Sequence, residues 1–347
     1  MIFGDFPIEA AEGVVLAYSI HLSESIPNGR SIRKGRTLCA GDIAALTAAD
    51  IHRITGARLE AGDVDENAAA DSVADVLVGA NVGRSEALTG RSNLLAEAHG
   101  LLIINRERIG AFNRIHEGVT VATAEPWMIV EPGQVVATLK IIPFAVERRV
   151  IDLCRDFASA GEPAISVRPF IPHKVAMIQT TLAGTRESVL QSAAAANRSR
   201  IEALGSVWLS ERRCNHDAEA LAVEIGRVLD EGCSLLLISG ASATVDRRDI
   251  VPAAILGAGG GIDHFGMPAD PGNLLLLGHV GQVPVIDLPG CARSPSLNGL
   301  DLVLRRVLAG LAVTASDIMD MGVGGLLKQC PSLTASTLEQ QQEQSSR

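Results

Sequence analysis

Between Lys174 and Ala309 the chain alternates short apolar runs with longer amphipathic segments, and this alternation constrains the fold more than any other feature. Such an order is typical of βαβ units, because two parallel strands can be joined only by a long crossover, most often a helix. The expected strands are Lys174–Gln179, Ser206–Leu209, Ser234–Ile238, Leu274–Leu277 and Val283–Asp287. The expected helices are Glu187–Leu204, Asp217–Asp230, Val251–Leu256 and Leu297–Ala309. The sequence therefore predicts an α/β fold, with a three-layer, parallel-sheet domain over residues 171–325.

Residues 1–170 follow a different pattern, in which strands, turns and helices are mixed, and we expect an α+β region there. Its clearest elements are a turn at Pro27–Gly29, helices at Glu66–Val78 and Val146–Ala158, and a strand at Val135–Phe144. Gly and Pro residues between Gly161 and Pro172 mark the boundary between the two regions. Residues 326–347 are rich in Gln, Ser and Glu, a composition that predicts a disordered tail.

Composition limits the classes of function. Hydrophobic residues make up 47% of the chain and aromatic residues only 3%, so the core must be built from Ala, Val, Leu and Ile. The formal net charge of −10 argues against general nucleic-acid binding. The six cysteines include no Cys-x-x-Cys pair, which argues against a structural zinc site. Neither a signal peptide nor an apolar run long enough to span a bilayer is present, so we expect a cytoplasmic location and no membrane partner.

The segment Ser239–Asp249 is the first candidate site, because a buried strand there runs into a turn of small residues followed by two carboxylates and a helix. Backbone N–H groups in such a turn can approach an anion closely, and a helix N-terminus favours negative charge. The candidate ligand-binding residues of the turn are Ser239, Gly240, Ala241, Ser242 and Ala243. Asp246 and Asp249 could hold a cation or polar ring groups beside that anion.

Two further segments are expected at the same sheet edge, because ligands of open parallel sheets bind beyond the carboxyl ends of the strands. His264–Asn273 contributes the candidates Pro268, Asp270, Pro271 and Gly272. Asp287–Pro295 contributes the candidates Pro289, Gly290, Cys291, Arg293 and Ser294, of which Arg293 could neutralise a phosphate. The alternative interpretation is that Pro and Gly merely mark the ends of strands.

The order of these motifs resembles the molybdopterin-binding domain of the molybdenum-cofactor biosynthesis proteins of the gephyrin, MoeA and MogA kind. That family has a Ser/Thr-Gly-Gly loop followed by Asp residues, then a Pro-Gly segment before a strand, then Leu-Pro-Gly-Asn-Pro before a helix. The counterparts here are Ser239–Ala241 with Asp246 and Asp249, then Asp270–Asn273, then Leu288–Cys291. The resemblance covers about residues 174–311.

Two weaker similarities extend this resemblance. Lys34–Leu38 with Asp42–Leu46 is similar to the Lys-Gly-x-x-Leu segment of the molybdenum-insertion enzymes. His264–Gly278 and Leu288–Asn298 are most similar to a bacterial subgroup whose members often carry a C-terminal nucleotidyltransferase domain resembling molybdopterin cytidylyltransferases. The signature of that additional domain does not occur after Gly325.

Departures from the family pattern bear on the metal-insertion step more than on ligand binding. Ala241 replaces the second Gly of the first loop, and Cys291 and Ala292 replace the Asn and Pro of the last motif. Thr180–Glu187 replaces the acidic Gly-Asp-Glu-Leu segment of the family.

The resemblance implies a protein that binds molybdopterin, or its adenylylated form, and takes part in molybdenum insertion with molybdate and Mg²⁺. Asp246 and Asp249 would then be the catalytic and metal-binding residues, and the amides of residues 240–243 and 290–291 would hold the phosphates. Two alternatives remain open: a non-catalytic molybdopterin carrier that serves a nucleotidyltransferase, and a pyrophosphatase of nucleotide derivatives similar to CinA. Analogy with the family further implies a homo-oligomer.

Overall fold

A computed structural model describes residues 1–22 and 31–327 of the chain. The chain divides into two compact units, Met1–Pro169 and a second that begins at Phe170. The turn expected at Pro27–Gly29, Cys330 and residues 328–347 of the expected tail lie outside the described residues. Leu326 and Leu327 do not behave as tail residues, since Leu326 forms a β-bridge with Asp270 and the Leu327 amide donates to the Asp270 carbonyl at 2.9 Å.

The first unit contains four helices and fourteen short strands within the described residues. The helices are α1 (Ala40–Ala48), α2 (Glu66–Leu77), α3 (Arg106–Asn113) and α4 (Arg148–Ser159). The strands are β1 (Ile2–Pro7), β2 (Val15–Leu16), β3 (Ile20–His21), β4 (Ser31–Ile32), β5 (Arg53–Arg58), β6 (Asp63–Asp65), β7 (Val82–Arg84), β8 (Arg91–Ala96), β9 (Gly100–Ile104), β10 (Val119–Thr123), β11 (Ile129–Val130), β12 (Val135–Ile141), β13 (Ala145–Glu147) and β14 (Ile165–Pro169).

These strands form small antiparallel sheets, in the orders β1-β5-β2, β10-β12-β8-β7 and β11-β9-β14, with the pairs β13-β6 and β3-β4. Two apolar clusters lie within the unit, one built on residues 8–54 and one on residues 64–167. Helix α2 belongs to the second cluster, because Ala69, Ala70, Val73 and Leu77 recur at helical spacing and are buried. The Asp65 side chain accepts the amides of Asn67 and Ala68 and so fixes where this helix begins.

The second unit is built around one six-stranded sheet. Its strands are β15 (Lys174–Thr181), β16 (Val207–Asn215), β17 (Leu235–Ser239), β18 (Gly261–Phe265), β19 (Leu276–Val280) and β20 (Val283–Asp287). Its helices are α5 (Glu187–Ala203), α6 (Ala218–Asp230), α7 (Ile250–Gly257), α8 (Gly299–Leu308) and α9 (Ala315–Met319), with 3-10 turns at Gly290–Arg293 and Asp320–Gly322. The sheet order is β16-β15-β17-β20-β19-β18, and the first four strands are parallel. The prediction of an α/β fold with parallel strands is therefore confirmed for this unit.

Both faces of this sheet are apolar. Successive side chains of a strand point to opposite faces, and a strand covered on both sides therefore reads as a continuous apolar run. Val175 and Met177 of β15 pack in one cluster with residues of α5 and α8. Ala176 and Ile178 of the same strand pack in a second cluster with residues of α6 and α7.

The predicted parallel sheet extends only as far as β20, because β19 is antiparallel to both β20 and β18. Only Gly281 and Gln282 connect β19 to β20, and Gly281 has a φ of +58°. A connection of two residues can make only an antiparallel hairpin, since a parallel pair needs a crossover of a dozen residues or more. Strand β18, which the sequence analysis did not predict, completes this antiparallel end of the sheet.

Strand β16 forms one edge of the sheet and is longer than the predicted Ser206–Leu209. Its second half contains three consecutive charged residues, Glu211, Arg212 and Arg213, which a buried strand would not contain. These charged side chains are compatible with an edge strand because they form ion pairs with neighbouring helices. Arg213 pairs with Glu187 of α5 at 2.7 Å, and Arg212 lies 3.3 Å from Glu224 of α6. Within residues 1–22 and 31–327, no helix has the length and apolar character that a membrane-spanning segment requires.

Candidate functional site

The three candidate segments lie at one edge of the six-stranded sheet. Ile178, Ile238, Asp287 and Leu276 are register partners across β15, β17, β20 and β19. The loop after Ser239 and the turn after Leu288 therefore leave the sheet side by side. The segment before Leu276 arrives at the same edge, because β19 runs in the opposite direction.

The first loop, residues 240–249, is tied to the strand beside it. The Ala241 amide donates to the Thr180 hydroxyl oxygen at 2.8 Å, and this oxygen lies 2.8 Å from Nδ1 of His216. A Cβ on Gly240 would lie 2.5 Å from the Ser242 carbonyl oxygen, so the tight bend requires glycine. The Ala241 amide is thus engaged within the protein and would have to exchange this partner for a ligand.

The next two amides of the loop differ from that of Ala241. Within the part of the chain that the structure describes, the N–H groups of Ser242 and Ala243 have no hydrogen-bond acceptor. Ser242 is exposed and Ala243 is half-buried, while Ser239 and Gly240 before them are buried. Two adjacent donors at an accessible turn can bind an anion.

Asp249 has a structural function in this loop. It is the N-cap of α7, where its Oδ1 accepts the Ile250 amide at 2.8 Å and its Oδ2 accepts the Val245 amide at 3.1 Å. Both carboxylate oxygens therefore hold backbone donors that the helix and the loop would otherwise leave unsatisfied.

Asp246 is exposed and pairs with Arg248, whose amide and Nε lie 2.9 and 2.8 Å from its Oδ1. The Arg248 side chain, and next its amide, lower the pKa of the Asp246 carboxyl. Oδ2 of Asp246 makes only a long contact of 3.5 Å with Arg248, so this oxygen keeps most of its capacity for another ligand.

The two carboxylates do not by themselves complete a cation site. No group of three His, Cys, Asp or Glu side chains suited to a metal ion occurs among the described residues. Mg²⁺ is commonly held by one or two carboxylates together with substrate phosphates and water. Asp246 has the more available oxygen for such a role, because both oxygens of Asp249 already accept backbone amides.

The third segment is joined directly to the first loop. A terminal guanidinium nitrogen of Arg293 donates to the Gly240 carbonyl at 2.7 Å. Gly290 and Ser294 are exposed, Cys291 and Arg293 are half-buried, and Pro289 is buried. The hydrogen bond joins this turn and its arginine to the first loop, two residues before the amide of Ser242.

Helix α5 fixes the position of this turn through one arginine side chain. The nearly buried Arg200 donates to the carbonyls of Ala292, Ser294 and Ser296 and pairs with Asp301 at 2.9 Å. A single guanidinium group therefore fixes the backbone of the turn over five residues.

The second segment is at the same edge, but part of it is used in packing. The Gly299 amide at the start of α8 donates to the Pro271 carbonyl at 2.9 Å, and Pro271 and Gly272 are buried. A Cβ on Gly272, whose φ is +136°, would lie 2.3 Å from the Gly299 nitrogen. Of the four candidate residues in this segment, Pro268 and Asp270 are exposed and so accessible to a ligand.

Sequence reasoning assigned no function to a buried acid behind the first loop. Asp287 is 2% exposed, and its Oδ2 accepts the hydroxyl of the buried Thr244 at 2.6 Å. Burial raises the pKa of Asp287 to about 7, the Thr244 hydrogen bond opposes this shift, and the negative charge of Asp249 adds to it.

Sequence reasoning also did not identify Thr180 as a residue of the site. Thr180 and Asp287 each stand at or next to the carboxyl end of their strand, and that position was the available signal. The partners of both are supplied by the first loop, 61 residues from Thr180 and 43 from Asp287.

Comparisons with known proteins give weak similarities only. No protein-family profile matches the chain, and no curated protein matches it. Among solved structures, a molybdopterin biosynthesis MoeA protein from Pyrococcus horikosii is 13% identical, with a TM-score of 0.30, over 89% of this chain and 75% of its own. A CinA protein of unknown function from Thermoplasma acidophilum is 16% identical, with a TM-score of 0.28, over 35% of this chain and 91% of its own. A molybdenum cofactor biosynthesis protein from Pyrococcus furiosus is 14% identical, with a TM-score of 0.23, over 90% of this chain and 66% of its own. Similarities this low establish neither a shared family nor a shared activity.

Proposed function

We propose that the second unit binds molybdopterin, or its adenylylated form, and acts in molybdenum-cofactor synthesis. The motif order of residues 239–249, 270–273 and 288–291 supports the choice of ligand. The observation that supports a single binding site is the hydrogen bond from Arg293 to the Gly240 carbonyl. It joins the first loop to the turn that begins with residues 288–291.

In this proposal the phosphate of the ligand binds the amides of Ser242 and Ala243, with Arg293 supplying positive charge. The exposed Gly290 and Ser294 form the opposite side of the site. Cys291, which stands between Gly290 and Ser294 in the sequence, is half-buried. Pro268 and Asp270 would contact the ligand from the second segment.

Molybdenum insertion is the first candidate activity, with molybdate as a substrate. Mg²⁺ would be held by Asp246, and also by Asp249 if its carboxylate releases one of the backbone amides it accepts. The cation would supply Lewis-acid assistance to cleavage of the phosphoanhydride of the adenylylated ligand. Asp246 would orient the cation through its Oδ2, because its Oδ1 is already bonded to Arg248.

A non-catalytic carrier that delivers molybdopterin to a nucleotidyltransferase is the second candidate. The engagement of both Asp249 oxygens in helix capping favours it, because this leaves Asp246 as the chief carboxylate for a metal. The nucleotidyltransferase partner and a homo-oligomeric state belong to the same proposal.

The test is to measure binding of both forms of the ligand to the purified full-length chain, and AMP release with Mg²⁺ and molybdate. AMP release that requires molybdate, and that is lost in Asp246→Asn, supports insertion. Tight binding without AMP release supports the carrier. The matched control is Asp230→Asn, which removes an exposed carboxylate at the end of α6. If neither form binds, or if Arg293→Met binds both as tightly as the wild type, the assignment of the site is wrong.

A further inference from the structure

The first unit contains a cavity of its own, of about 650 Å³. Its lining includes Phe3, Lys34, Glu66, Lys140, Ile142 and Phe144. Sites for small organic ligands have volumes of roughly 300–1,000 Å³. The cavity is therefore large enough for a small molecule, and its walls belong entirely to residues 1–144.

Positive charge is concentrated at this cavity. Only four of the 30 Lys and Arg residues of the chain are lysines, and two of these four, Lys34 and Lys140, line it. Glu66 is the acidic side chain of the lining, and the Met1 amino group is paired with Glu60 and Asp63. The two lysines and one glutamate give the lining side chains a charge of +1, in a chain whose net charge is −10.

The two lysines are held differently. Nζ of Lys140 donates to the Thr89 carbonyl at 2.5 Å and lies 3.7 Å from Glu66. Nζ of Lys34 lies 5.9 Å from the centre of the Phe144 ring and has no carboxylate partner in the described part of the chain. A cation over an aromatic face gains only modest attraction when exposed, so Lys34 remains available to an anion.

The remaining wall is apolar and accessible. Phe3 and Ile142 are 56% and 58% exposed, and Pro143 and Phe144 continue the same surface. Burying such side chains under a flat or apolar group is favourable at about 25 cal/mol per Å² of apolar surface.

We infer that this cavity binds a small organic anion, in which a phosphate or carboxylate is attached to a flat ring. The ammonium groups of Lys34 and Lys140 attract the anionic group, and Phe3, Ile142 and Phe144 cover the ring. The cavity is lined both by two lysines and by an exposed apolar surface, so a ligand that carries both an anionic group and a ring would use its whole lining. The site does not depend on the function proposed for the second unit.

The test uses 1-naphthyl phosphate, inorganic phosphate and 1-naphthol as probes of the full-length chain, with binding measured by calorimetry and by NMR of the protein. We expect 1-naphthyl phosphate to bind at least about tenfold more tightly than either fragment, because only it uses both parts of the cavity. Lys34→Met and Lys140→Met should each weaken it by about tenfold. Lys174→Met, which removes an exposed lysine of the second unit, should leave binding unchanged.

A second substitution guards against effects of misfolding. Ile142→Glu places a negative charge at an exposed position of the cavity wall and should weaken 1-naphthyl phosphate while leaving the melting temperature unchanged. The proposal is overturned if 1-naphthol binds as tightly as its phosphate, if the lysine and Ile142 variants bind like the wild type, or if 1-naphthyl phosphate shows no saturable binding.

Discussion

The hydroxyl of Thr244 donates a hydrogen bond of 2.6 Å to the buried carboxyl of Asp287, which ties the first loop of the second unit to the end of β20. Because burial raises the pKa of Asp287 to about 7 from an ordinary value of 3.8, the native state retains a proton that the unfolded chain releases between these values. The contribution of this group to stability is therefore full below the unfolded pKa and is lost as the pH rises through about 7.

We predict that Asp287→Asn removes this dependence. The free energy of unfolding of the wild type, relative to that of the variant, should fall by as much as about 4 kcal/mol as the pH rises from about 4 to about 8. Urea denaturation of both proteins across this range measures the difference. Asp230→Asn, an exposed carboxylate, is the control and should follow the wild type; an equal slope for Asp287→Asn would contradict the prediction.

Thr180→Val is predicted to loosen the first loop. The substitution keeps the shape of the side chain but deprives the Ala241 amide of its acceptor, at a cost of about 1–2 kcal/mol. Hydrogen exchange at the Ala241 amide should become faster. In the control, Thr181→Val, the lost hydroxyl bonds the Cys214 carbonyl instead, and exchange at Ala241 should not change. Unchanged exchange in both variants would show that Thr180 does not hold the loop.

Removal of the Asp249 carboxylate should lower the stability of the protein more than removal of the Asp246 carboxylate. Asp249→Ala removes the cap of α7 and the contact to Val245, so we expect a loss of about 1 kcal/mol in the free energy of unfolding. Asp246→Ala removes only an exposed pair with Arg248 and should leave the free energy of unfolding nearly unchanged. Chemical denaturation distinguishes the two, and equal losses would argue against a capping function for Asp249.

The close approach of Gly272 to helix α8 predicts a large effect of a single methyl group. In Gly272→Ala the new Cβ would meet the Gly299 nitrogen, and we expect a loss of about 3 kcal/mol in the free energy of unfolding. Gly281→Ala is the matched control, because Gly281 also has a positive φ but nothing lies within 4 Å of its Cβ position. It should lose only about 1 kcal/mol. Similar melting temperatures for the two variants would contradict this account.

Local patterns predicted the bounds of several elements of the second unit. Strand β20 has the predicted bounds, Val283–Asp287, and α5 ends one residue before the predicted Leu204. In both cases the apolar spacing and the adjacent turn residues agree with the tertiary structure. The direction of β19 was missed although the sequence carried a signal for it. Only five residues separate the predicted strands Leu274–Leu277 and Val283–Asp287, which is too few for a parallel crossover.

The site was predictable as a set of loops, but not as a set of contacts. The segments around Ser239, Asp270 and Gly290 were found because Gly, Pro and Asp stand at strand ends. The hydrogen bonds that hold them, such as Ala241 to Thr180 and Arg293 to Gly240, join residues 61 and 53 positions apart. Nothing in the local sequence specifies such a partner.

The charged residues of edge strand β16 affect the tendency of the protein to aggregate. An edge strand presents unpaired N–H and C=O groups, which can template pairing with another molecule and so begin aggregation. Glu211, Arg212 and Arg213 occupy this edge, where Arg212 pairs with Glu224 and Glu231, and Arg213 pairs with Glu187 and Glu211. A foreign strand would have to pack against these charged side chains before it could add to the sheet. The charged half of β16 thus protects a largely aliphatic protein against self-association through its longest open edge.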